Sequence, residues 1–233
     1  ACVMMQVTMD VIIPTIRLDP AFLRRLLDVP VPRGLLLRFF VVVDQPGSML
    51  PCGLGELFDR EGVTLLVNGD HLGAAESRNR GFAAGRGEFV LFLDDDVIPE
   101  PALLGAYLNA INSDPGESPG YAGVTRFPDP VNSFTRGVIA SDVLTFFDIA
   151  AHRTVLNWGV TANLCVRRAH VVGLPFDSDF PKFGGGEDID FCLRLRDAAG
   201  HPFRAVPAAM VHHPWWKDGA RSYARFFRWA FGD

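Results

Sequence analysis

Lysine is nearly absent: the 233 residues contain two, Lys182 and Lys217, so almost all positive charge is carried by arginine. The 22 basic residues fall short of the 27 acidic ones, a formal net charge of −5. That deficit excludes a sequence-independent nucleic-acid binder, which needs surplus Lys and Arg to neutralise phosphates. A local phosphate site stays open, because the planar arginine fork is suited to bidentate anion contacts. Cysteine is sparse too. Cys2, Cys52, Cys165 and Cys192 have neither CxxC spacing nor the density of a disulfide scaffold, and read as small buried hydrophobes. Long apolar runs are missing. Uncharged stretches such as Pro101 to Ser113 and Thr154 to Val166 are too short to span a bilayer, and no basic region followed by an apolar core and cleavage site opens the chain. The expectation is a soluble, cytoplasmic protein. Because the chain starts at Ala1 and stops within an apparent helix, it reads as a piece of something longer.

Apolar material is plentiful: hydrophobic residues make up 48%, with 19 Phe and 4 Trp, which excludes disorder. The length allows one large domain. Apolar runs at Val7 to Ile13, Leu35 to Val43, Val63 to Val67 and Glu88 to Leu93 predict four strands, the second of them covered on both faces. Between them, Asp19-Pro20 caps a helix through Leu27, a small-residue helix runs from about Leu72 to Ala84, and another from about Pro99 to Asn112. Such alternation implies right-handed crossovers and a mostly parallel sheet with helices on both faces, an α/β fold. Residues 1–112 read as a nucleotide-binding half. The remainder, 113–233, is less regular: a Pro- and Gly-rich stretch from Ser113 to Asp129, a mixed segment to Ala151, a strand from about Gly159 to Val166, a helix from Glu187 to near Gly200, a strand to about Val211 and a last helix from about Gly219.

The feature richest in chemistry is Asp94-Asp95-Asp96 at the C-terminal end of a buried strand, where open α/β sheets place their ligands. Adjacent carboxylates repel one another, and a divalent cation with its phosphates relieves that repulsion. The same residues could equally form a solvated turn that caps the next helix. Asp44 ends the second strand at the same edge, where it can read a nucleobase or simply start a turn. Arg78 and Arg80 are two apart on a helix, so at most one faces the site. Glu187, Asp188 and Asp190 follow Gly184-Gly185-Gly186 in the first turn of a helix, a place that the helix dipole favours for acids in any case. Either histidine of His212-His213-Pro214-Trp215-Trp216 could join a metal, His213 ahead of His212. On the last helix Arg221, Arg225 and Arg228 share one side, opposite Tyr223, Phe226, Phe227 and Phe231. This is an ordinary amphipathic pattern that would also serve peripheral membrane contact.

Val11 to Thr15, Val41 to Asp44, Ser77 to Gly81, Leu91 to Asp96, Asn157 to Asn163, Arg167-Arg168 and Gly186 to Leu195, in that order, resemble the successive motifs of family 2 glycosyltransferases. The resemblance implies a GT-A fold, Rossmann-like, with a small antiparallel acceptor-side sheet beside the parallel one. It implies a metal-dependent, inverting transfer of sugar from a nucleotide sugar, UDP-linked by preference, to a glycan, lipid-linked or other hydroxyl acceptor. Pro14, Thr15, Arg17 and Asp44 would lie against the nucleotide, with Asp44 reading a uracil. Arg78 and Asn79 would approach the diphosphate, while Asp94 or Asp95, Gly186 and Trp158 would complete the donor site. Asp96, with Asp94 and His213, would hold Mn2+ or Mg2+. Glu187 and Asp188 match the catalytic pair, Asp188 being the base. The sequence departs from the pattern after Asp44, where Gln45-Pro46 follows in place of an acidic residue. Two other readings stand beside this one: a GT-A-like domain that binds nucleotide or glycan without turnover, and a haloacid-dehalogenase-type phosphatase with Lys182 or Lys217 as its essential lysine.

Overall fold

In the computed structural model, residues 6–47, 50–51, 53–114, 116–182 and 185–232 are described. Among them the strands are β1 Val7–Thr15, β2 Leu35–Val43, β3 Val63–Val67, β4 Phe89–Leu93, β5 Ile98–Pro99, β6 Gly120–Arg126, β7 Val155–Leu156, β8 Asn163–Arg167 and β9 Phe203–His212. The helices are α1 Pro20–Leu27, α2 Gly55–Phe58, α3 Ala74–Ala84, α4 Leu103–Asn112, α5 Ser133–Ala140, α6 Thr145–Asp148, α7 Arg168–Val171, α8 Glu187–Ala199 and α9 Ala224–Gly232. Cys2, Cys52 and Gly184 lie outside the described residues, whereas Cys165 and Cys192 are free and buried.

The strands form one sheet in the order β3-β2-β1-β4-β8-β6-β9-β5, with β7 also on β9. The β1, β2, β3 and β4 ladders are parallel, and β8 joins β4 antiparallel. β8 also pairs antiparallel with β6, which runs parallel with β9, so the acceptor-side strands continue the nucleotide-binding sheet and do not make a small sheet of their own. The stretch read as Pro- and Gly-rich contains β6, and the mixed segment contains α5 and α6. The helix expected from Pro99 begins at Leu103, because Ile98–Pro99 pairs with β9.

The near-continuous apolar strands are explained by cover on both faces. Along β4, Phe89, Leu91 and Leu93 pack with Leu23 and Leu26 of α1, Leu57 of α2 and Leu104 of α4, while Val90 and Phe92 pack with Ala75 of α3 and with Phe191 and Leu195 of α8. Asp19 starts α1 as expected, accepting from the Ala21 and Phe22 N–H groups at 2.8 and 3.2 Å. Away from the strand ends, fully buried Asp10 on β1 is held by Arg38 on β2 (2.8 Å), Arg168 (2.7 Å) and the Gly87 N–H (2.6 Å). A buried carboxylate is tolerated only with partners of this kind.

Candidate active site

The C-terminal ends of β1, β2 and β4 and the first turns of α3 and α8 meet at a cleft of about 690 Å³, within the usual size of a small-molecule site. Asp94, Asp95 and Asp96 follow β4 directly. Asp94 is partly exposed, whereas Asp95 and Asp96 are buried. Asp95 accepts from the Thr15 hydroxyl at 2.5 Å and is gripped by the Arg17 guanidinium, whose Nη1 also reaches Asp96 Oδ2 at 2.8 Å. Burial pushes the Asp96 pKa up, and Asp94 and Asp95 push the same way against His213 and Arg17.

His213 follows β9, fixed by its N–H to the Arg126 carbonyl (2.8 Å) and by stacking on Phe127 at 5.0 Å. Its Nδ1 lies 2.6 Å from the Pro214 carbonyl, which can only accept, so Nδ1 carries a proton and Nε2 is the ring nitrogen turned toward the triplet. Nε2 lies 3.3 Å from Asp96 Oδ1, which is buried and has no hydrogen-bond partner. Ligand atoms of Asp94, Asp96 and His213 lie within 4.8 Å of one another. Two carboxylates and an imidazole nitrogen gathered in this way fit a divalent cation. His212 points elsewhere and pairs with Glu100 at 2.6 Å.

Gly186 caps α8 at φ 94°, a left-handed conformation natural to glycine, and so turns Glu187 and Asp188 into the cleft. Buried Arg78 of α3 donates to Glu187 Oε1 at 3.0 Å and approaches Asp94 Oδ1 at 3.4 Å, bridging the two acidic groups. Burial opposes the charge on Arg78, but Glu187, Asp94 and Asp188 outweigh it and raise its pKa. Asp188 has no such direct partner. Burial and the neighbouring Glu187 push its pKa up to about 7, against Arg78 and the Thr161 and Ile189 N–H groups.

Asp44 is buried and accepts from Asn68 Nδ2 (2.7 Å), the Leu72 N–H (2.7 Å) and the Gly73 N–H (2.8 Å), with His71 Nδ1 at 2.8 Å. The remaining wall is aromatic: Phe146 and Phe147 of α6, Trp158, Trp216, and Phe226 and Trp229 of α9.

The sequence profile described as "Glycosyltransferase like family 2" matches residues 23–232. The chain belongs to that family. It is similar to the pre-mycofactocin glycosyltransferases of Mycobacterium tuberculosis strains CDC 1551 / Oshkosh and ATCC 25618 / H37Rv, at 31% identity over 217 residues, 87% of this chain and 42% of each relative. The chain thus spans less than half the length of these curated relatives. Its fold is that of GT-A glycosyltransferases. The mannosyltransferase PcManGT from Pyrobaculum calidifontis, solved with GDP-Man and Mn2+, superposes with a TM-score of 0.68 over 92% of this chain and 59% of that one, at 18% identity. GalNAc-T7 with UDP, GalNAc and Mn2+ reaches 0.71 over 97% and 47%, at 15% identity.

In this family 2 chain, Pro14, Thr15, Arg17, Asp44, Arg78, Asp94, Asp95, Trp158, Gly186, Glu187, Asp188 and His213 all line the cleft, with Asp96 buried behind them. One expectation needs correction. Asn79 is not among the lining residues: its amide clamps the Phe176 backbone through bonds of 2.9 Å in each direction. Asp44, expected against the base, lines the cleft and braces the 68–73 loop through both of its oxygens. Of the helix arginines Arg78 faces the site, while Arg80 bonds Asn68 and the Val67 carbonyl. Lys182 lines the cleft as well and donates to the His71 carbonyl at 2.7 Å.

Sequence reasoning found α9 but missed its place in the wall of the cleft. Arg225 stacks on Trp216 (4.3 Å) and Trp229 (5.9 Å), and with Arg228 it lines the cleft, while Tyr223 and Phe227 are exposed. The helix is amphipathic as expected, but the arginines on its basic face turn inward because two indole faces receive a guanidinium. Among the described residues no helix is long and apolar enough to cross a membrane.

Proposed function

We propose that this chain is the donor-binding and catalytic part of a metal-dependent, inverting glycosyltransferase, with a nucleoside diphosphate sugar, UDP-linked first, as donor and a glycan, lipid-linked or other hydroxyl as acceptor. The observation that carries this reading is that Asp94 and His213, clustered with buried Asp96, open on the same cleft as Asp188, whose pKa is pushed up to about 7. Asp94, Asp96 and His213 would hold the cation, which when bound offsets charge on the leaving diphosphate. Arg78 adds a fixed positive charge beside Asp94. Asp188 accepts the proton of the acceptor hydroxyl as that oxygen bonds to the anomeric carbon, and the bond from that carbon to the diphosphate breaks with its electron pair leaving on the diphosphate. Glu187, engaged by Arg78, keeps the arginine in place and is not a free nucleophile, in keeping with a single displacement and inversion.

Calorimetric titration with UDP, GDP and dTDP tests the donor. UDP is expected to bind in Mn2+ and not in EDTA, and failure of all three to bind overturns the donor assignment. Asp188→Asn is expected to keep nucleotide binding and to lose about 10²–10⁴-fold in sugar transfer or donor hydrolysis. Equal turnover would show that the base lies elsewhere.

A further inference from the structure

We infer that Arg17 is a positioning residue that sets the cation-binding geometry of Asp96, an inference that rests on the metal-site reading above. One guanidinium bridges two neighbouring carboxylates: Nη2 and Nε face Asp95, and Nη1 takes Asp96 Oδ2 at 2.8 Å. With Oδ2 occupied, the carboxylate plane is fixed and the other oxygen, Oδ1, is left buried without a hydrogen bond, 3.3 Å from His213 Nε2. Asp95 has its oxygens taken up by Thr15 and Arg17. The labour of the triplet is therefore divided. Asp95 holds the arginine, the arginine holds Asp96, and Asp94 and Asp96 remain for the ion.

The backbone keeps Arg17 in place. Leu18 adopts φ 49° although it is not glycine, a conformation that costs energy and persists only where its surroundings enforce it. Its side chain is in the core, its N–H donates to the Thr15 hydroxyl oxygen at 3.1 Å, and that hydroxyl donates in turn to Asp95. The turn that presents Arg17 is thus tied to the carboxylate that Arg17 grips.

Mn2+ binding to the intact protein, followed by electron paramagnetic resonance of the free ion, tests the inference without turnover. A positioning role and a simple counter-ion role predict opposite signs. Arg17→Gln is expected to weaken Mn2+ binding about tenfold or more, in the range seen when partners of metal ligands are removed. Arg17→Lys, which keeps the charge but not the fork, should recover only part of the loss. Asp95→Asn, which loosens the grip on Arg17, should weaken binding in the same direction and carries the test if Arg17→Gln does not fold. Mn2+ binding as tight as or tighter than the parent in Arg17→Gln, or in Asp95→Asn in its stead, overturns the inference, since removing a mere competitor for the carboxylates would tighten the site. If the parent binds no Mn2+, or Asp96→Ala binds it equally well, the metal-site reading itself falls and the role of Arg17 with it.

Discussion

Glu187 and Asp188 are neighbours in sequence and share a helix turn, yet only one of them has a guanidinium within hydrogen-bonding distance, and that difference separates their chemistry. With its pKa at about 7, Asp188 carries its proton in mildly acidic solution and cannot accept another. Sugar transfer should therefore rise with pH through about 7 and level off above it, a limb that Asp188→Asn removes. The effect on stability has the opposite sense: the folded state favours the neutral carboxyl, so its contribution is present below the ordinary aspartate pKa and is lost as pH rises through about 7. The acidic clusters were legible in the sequence because like charges side by side, at a strand end and a helix start, call for a partner. The bracing role of Asp44 was not, because the donors to its carboxylate come from the loop at residues 68–73, whose path no local pattern reveals.

At the scale of elements, α3 delivers Arg78 by lying close on the sheet, and the closeness depends on Gly81. A Cβ there would come within 2.6 Å of Ile12 Cγ2 on β1. Gly81→Ala is expected to destabilise the protein by about 1–3 kcal/mol through overpacking, measured by urea denaturation, with weaker nucleotide binding as Arg78 is displaced. Strands β2 and β3 were legible to the residue, since β-branched and apolar runs bounded by turn residues have few other solutions. Strand β6 was not. Its Gly-Tyr-Ala-Gly start reads as loop, but a Cβ on Gly123 would lie 2.3 Å from Asn163 Nδ2 and 2.4 Å from the Ala209 carbonyl, so the glycine is required by neighbouring strands that are remote in sequence. The inward turn of the arginines on α9 escaped for the same reason: its hydrophobic period marks two faces without saying which of them meets Trp216.

At the scale of the molecule, the proposed cation and nucleotide draw on β1, β4, α3, α8 and the end of β9 together, so binding should stabilise the whole fold. With Mn2+ present, UDP at about 100 times its dissociation constant should add about 2.7 kcal/mol, a rise in melting temperature of several degrees. Scanning fluorimetry should show it reversed by EDTA and absent in Asp96→Ala. The order of the strands has another consequence, for biosynthesis. β4 finds its antiparallel neighbour only in β8, where Leu93 pairs with Asn163. As the chain leaves the ribosome, the strand that carries the acidic triplet therefore keeps an open, wholly apolar edge until the later strand has emerged. An exposed edge of that kind invites pairing with other chains. The interval between the two strands in translation is then a window for misassembly, and the growing chain has most need of a chaperone within it.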